Sequence, residues 1–132
     1  MTLDKGMQES FEEQTMPYML LVMEPVGQRE ARPVPDGQAL YDRMLRFGEN
    51  LKARGIGKFY DSLGPTSKGF RVEMRNGKRS MVDGPFAEAK EIVGGFFLLD
   101  CTREQALAAA TECPAAEYAT IEVREVGPCW ER

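Results

Sequence analysis

The chain contains no histidine. That absence removes imidazole as a general base, as the relay member of a Ser or Cys triad, and as a metal ligand. Any chemistry must then run through carboxylates, Lys, Tyr, Cys or bound water. Cysteine is scarce as well: Cys101, Cys113 and Cys129 form an odd set without a C-x-x-C pair. A disulfide framework and a zinc site are therefore not expected, and a reducing cytoplasm is the expected location. Cys101 follows an apolar strand and Cys113 closes a helix, so both read as small buried hydrophobes. Met1 to Met16 holds Asp4, Glu9, Glu12 and Glu13 and no apolar run, which argues against a signal peptide or membrane anchor. Positive charge is also short. Lys plus Arg is 17 against 21 Asp plus Glu, a net charge of −4, with no cationic cluster to bind nucleic acid or an anionic membrane.

What is present suits one compact domain: 132 residues, 42% hydrophobic and 29% charged. We read residues 1–16 as a flexible acidic tail and 17–132 as a single domain. Tyr18 to Met23 is a short apolar run, expected to form a strand covered on both faces. Glu24 to Pro35 holds three prolines and a glycine and reads as a loop. Asp36 is placed to cap a helix through Leu51 and Lys52. Leu40, Met44, Phe47 and Leu51 line one face of it, and Gly55 closes it. Gly57 to Leu63 reads as a second strand. Ile92 to Leu99 reads as another covered strand, followed by the capping box Thr102-Arg103-Glu104-Gln105, an Ala-rich helix and a half-buried strand over Ala119–Arg124.

Between them, Phe70, Val72 and Met74 alternate with charges up to Asn76-Gly77, a strong hairpin signal. A two-residue turn there pairs Val72 with Met81 and Phe70 with Asp83, so Asp83 shares a face with three apolar side chains. The order of elements gives an α+β fold, an antiparallel sheet with two helices on one face. The other face then needs a cover that this chain does not supply. A second copy is expected there, which would make the protein a homodimer.

The stretch Asp83-Gly84-Pro85-Phe86-Ala87-Glu88-Ala89-Lys90-Glu91, followed by Gly94-Gly95-Phe96, resembles the signature of the YCII-related family, DGPF type. Tyr18-Met19-Leu20-Leu21, Leu63-Gly64-Pro65-Thr66-Ser67-Lys68-Gly69 and Ile121-Glu122-Val123-Arg124 match its pattern in order, from about Tyr18 to Val126. The resemblance implies a dimeric, ferredoxin-like α+β barrel and no particular reaction. Some broader members pair a His with an Asp at a proposed catalytic site. This chain offers only the Asp side, for which Asp83 is nearest. Residues 1–16 and 24–36 depart from the shorter family outline.

Asp83 on an apolar face has two readings. Its carboxylate either accepts the backbone N–H of Phe86 or Ala87 and fixes a turn, or lines a pocket as an acid–base group. Phe86 is a core plug or a pocket wall. Glu88 and Lys90 form an ion pair or a solvated side if the segment is extended, or, with Glu91 and Ser67, the rim of a site for a small polar or anionic ligand. Thr66, Ser67 and Lys68 form a small polar turn too short for a phosphate loop. Tyr60 reads as a buried phenol with one satisfied hydroxyl. No cofactor and no metal are expected. The function these features indicate is a small-molecule-binding homodimer. The alternative is a cofactor-free enzyme using Asp83 for proton transfer, elimination or isomerisation.

Overall fold

The computed structural model describes residues 14–132. The acidic tail read over 1–16 therefore lies outside them, apart from the last three residues leading into the first strand. Six strands form: β1 (Met16–Pro25), β2 (Gly57–Ser62), β3 (Phe70–Arg75), β4 (Lys78–Asp83), β5 (Glu91–Cys101) and β6 (Thr120–Glu125). Four of them make one antiparallel sheet in the order β2-β5-β1-β6, while β3 and β4 pair only with each other. The four-stranded sheet has ferredoxin-like connectivity. The hairpin is an insertion standing outside that sheet.

Three helices accompany the strands: α1 (Gln28–Ala31), α2 (Val34–Ala53) and α3 (Arg103–Glu112). Two boundaries differ from the sequence reading. The stretch expected to be loop over 24–35 instead ends β1 and winds the single turn α1. The helix expected to start at an Asp36 cap begins at Val34, after Pro33 as the N-cap, with Asp36 inside its first turn. Pro35 is compatible with that start, because its fixed φ suits the first turn and its missing N–H would have had no partner there. The other end follows expectation. Gly55 takes φ +80° after the last turn. Its N–H bonds to Lys52 O and that of Ile56 to Leu51 O, a Schellman closure with Ile56 and Leu51 both buried.

The capping box of α3 is complete. Thr102 Oγ1 accepts the Gln105 N–H at 3.1 Å, and Gln105 Oε1 accepts the Thr102 N–H at 2.9 Å. Thr102→Ala is expected to cost about 1 kcal/mol, read as a lowered denaturant midpoint at unchanged m-value.

Helices cover one face of the sheet. Tyr18, Leu20 and Val22 of β1 and Phe97, Leu99 and Cys101 of β5 are buried beneath them. Phe47 of α2 meets Phe97 edge-on at 5.2 Å between ring centroids. Cys101 and Cys113 are buried, as expected, and burial pushes both thiols up from their ordinary value. The opposite face is apolar and left uncovered by the described residues. Met19, Leu21 and Met23 alternate onto it from β1, and Phe96 and Leu98 from β5, all half-buried. Phe59 of β2 joins them, 57% exposed and 5.8 Å from Phe96.

The hairpin has the expected register: Phe70 faces Asp83, Val72 faces Met81 and Arg75 faces Lys78. Asn76 at φ 53° and Gly77 at φ 75° form the two-residue turn. Its Phe70–Val72–Met74–Met81 side is more than half exposed at every one of these positions.

Candidate functional site

The alternation of β1 continues past Val22. Residues two apart share a sheet face, so Tyr18, Leu20 and Val22 are followed onto the covered face by Glu24. Glu24 is only 6% exposed, the one buried charged residue among those described. A carboxylate there is costly unless it is paired. Its partner comes from α1, where Arg29 Nη2 lies 2.5 Å from Glu24 Oε1. The same guanidinium donates from Nη1 to the Leu63 carbonyl at 2.8 Å, tying α1 to the end of β2.

Space for this pair comes from a β-bulge. Val22 lies opposite Gly95 and Met23 opposite Val93, leaving Gly94 as the extra residue of β5. A Cβ at Gly94 would overlap Glu24 Oε1 and lie 3.2 Å from Arg29 Nη2. Gly94 thus admits the side chains of Glu24 and Arg29, whereas Gly95 admits the backbone of β2, with the Asp61 carbonyl oxygen 3.1 Å from an added Cβ.

Glu24 and Arg29 stand in a cavity of about 800 Å³ between the sheet and α1–α2, a size typical of small-molecule sites. One wall is apolar, formed by Leu40, Met44 and Leu45 of α2 with Val22 and Phe97 of the sheet. Tyr60, Ser62, Leu63 and Gly95 line another side. Tyr60 stacks on Phe97 at 5.6 Å and donates its hydroxyl to Glu49 Oε2 at 2.7 Å. That hydrogen bond, with desolvation next, pushes its pKa up to about 12, so it stays a protonated donor. Gly48 makes room for the ring, since a Cβ there would fall 2.5 Å from it. The mid-helix glycine is therefore a packing requirement of this wall.

Tyr60 and the Gly94-Gly95 pair line the cavity, but Ser67, Asp83, Phe86, Glu88, Lys90 and Glu91 do not. Asp83 ends β4 with its side chain exposed. It accepts no hydrogen bond from the N–H of Phe86 or Ala87, so it does not form the turn clasp considered for it. Phe86 and Glu88 are brought together by Arg71. The Arg71 guanidinium lies 3.9 Å over the Phe86 ring and 2.5 Å from Glu88 Oε1. Glu88's own backbone N–H, and then Arg71, hold its carboxyl below the usual carboxylate range. The expected Glu88–Lys90 pairing does not form, because this segment turns at Ala87–Glu88 rather than running extended. Lys90 and Glu91 are exposed at the start of β5, and Ser67 is exposed in the 3-10 turn Thr66–Lys68. Trp130 is exposed.

Gly84, within the same motif, has a clear structural task. A Cβ there would overlap the Thr66 carbonyl oxygen and lie 2.8 Å from its carbon. Its N–H bonds to Gly69 O at 2.9 Å. The base of the hairpin is thus clamped onto the 3-10 turn at a distance only glycine permits.

Among the described residues, no helix is long and apolar enough to cross a membrane, and no cluster of three Cys, Asp or Glu is arranged to hold a metal ion. No curated protein matches the chain significantly. Residues 16–129, from the first strand almost to the C-terminus, match the model of the YCII-related domain, and the chain accordingly belongs to the YCII-related family.

Proposed function

We propose that the protein is a homodimer that binds a small polar molecule in the cavity between the sheet and α1–α2. The observation that carries the ligand site is the buried Glu24, held by Arg29 at the edge of a largely apolar chamber. A charged pair placed beside such a chamber suits recognition of a polar head on an apolar body. Dimerisation is supported by two uncovered apolar surfaces, the open sheet face and the Phe70–Met81 side of the hairpin. A second copy covering the sheet face would complete a dimeric α+β barrel. The Asp83-Gly84-Pro85-Phe86 motif supports placing the chain in the DGPF type of the family. The three free cysteines suit a reducing cytoplasm.

Acid–base catalysis by Asp83 is a second reading of the same dimer. It is favoured by one observation: Asp83 stands opposite Phe70, on the hairpin side that a partner would cover. There Ser67, Lys90 and Glu91 would contribute a rim for a polar or anionic group.

Sedimentation equilibrium at micromolar concentration is expected to return twice the chain mass of 14.8 kDa. A monomer at that concentration would contradict the dimer. The cavity is tested separately by carbon-13 methyl spectra, in which Met44 lies in the chamber and Met19 and Met23 on the open face. A screen of small polar compounds should move Met44 and leave the other two in place. Movement of Met19 and Met23 alone would contradict the cavity site.

A further inference from the structure

From the cavity's hydrogen-bonding inventory we infer that its ligand carries a hydrogen-bond-donating head, an amine or a hydroxyl, which docks on the second carboxylate oxygen of Glu24. This rests on the proposed cavity site and narrows the chemistry that fits it.

Glu24 Oε1 takes the guanidinium of Arg29. Its other oxygen accepts no hydrogen bond from any described residue. Yet no buried side-chain oxygen or nitrogen lacks a partner among those residues. No described residue therefore seals the second oxygen, and Glu24 lines the cavity. A side chain more than nine-tenths buried thus presents one open acceptor to a mostly apolar chamber. Carboxylate oxygens in low-dielectric surroundings bind donors strongly, since water competes poorly there.

The cations of the site are already engaged. Arg29 spends Nη1 on the Leu63 carbonyl and Nη2 on Glu24. Arg32 donates from Nη2 to Gln28 Oε1 at 3.3 Å and lies over the Tyr118 ring, 5.5 Å from its centroid. An anionic head would have to share guanidinium groups already bonded to protein acceptors and would also meet the Glu24 charge. A donor head meets an acceptor that is already oriented. The ligand's body would lie against Leu40, Met44, Leu45 and Phe97, which accept an aliphatic or aromatic group.

Three probes of one skeleton test this on the full chain: cyclohexylmethylamine, cyclohexylmethanol and cyclohexanecarboxylate. Each is titrated while the Met44 methyl resonance is followed. The amine and the alcohol are expected to shift Met44 saturably, the amine more tightly, and the carboxylate at least about tenfold more weakly than either. Glu24→Gln should weaken the amine about tenfold and the alcohol less. The wild-type comparison stands by itself should that variant fold poorly. Preference for the carboxylate would overturn the donor-head inference while leaving the cavity site intact. Probes that leave Met44 unmoved at millimolar concentration would overturn both.

Discussion

Arg29→Met is expected to destabilise the protein by about 3 kcal/mol at neutral pH, the low end for breaking a buried ion pair. For a chain of this size that is on the order of 10 °C in Tm. The loss should exceed that of any surface ion-pair deletion here, such as Arg103→Met, where both partners are exposed. The physical reason is the position of Glu24 on the covered face of β1, where removal of Arg29 strands its carboxylate. The loss of the Arg29 bond to Leu63 O adds to it by freeing α1 from β2. The double variant Glu24→Gln/Arg29→Met is expected to recover most of the deficit, since the charge needing a partner is gone. Calorimetry on the four proteins of this cycle checks the coupling. A double variant no better than Arg29→Met would show that the pair is not a unit.

Gly84→Ala is the second large effect, and it should be local. The added methyl meets the carbonyl of Thr66, a backbone group that cannot rotate aside. The hairpin base must open, at the expense of the Gly84 N–H to Gly69 O bond. Amide exchange across β3 and β4 should accelerate about a hundredfold, the kinetic image of roughly 3 kcal/mol of local stability. The four-stranded sheet pairs none of its strands with the hairpin, so its protected amides should keep their rates. If the proposed dimer uses the hairpin's apolar side, the variant should also sediment closer to the monomer. Hairpin amides that exchange as in the wild type would contradict the clamp.

Much of this fold was legible in the residues. The Asn-Gly turn set the hairpin register, the Thr102 box set the start of α3, and the continuous apolar run Tyr18 to Met23 marked β1 as a strand apolar on both faces. The site was less legible, for identifiable reasons. Proline density over 24–35 read as loop and hid the end of β1 and the turn of α1, where Glu24 and Arg29 reside. The signal was nonetheless present. Extending the Tyr18–Leu20–Val22 alternation by one step puts Glu24 on the buried face, and Arg29 is the next cation along the chain. Residues 83–91 carry the denser pattern of glycine, proline and charge, yet that pattern largely shapes the hairpin base. Gly84 clamps it, and Phe86 and Glu88 hold Arg71. Gly48 and Gly94 carry a related lesson. A glycine that weakens a helix or strand locally can be explained only by a neighbour distant in sequence, here Tyr60 and Glu24.

Docking of a donor head on the second Glu24 oxygen is checked by a crystal structure with cyclohexylmethylamine bound. The expected result is the ammonium nitrogen about 3 Å from that oxygen, the ring against Leu40 and Met44, and the Glu24–Arg29 contact intact. An ammonium bound elsewhere, or Glu24 turned away from the chamber with Arg29 released, would contradict it.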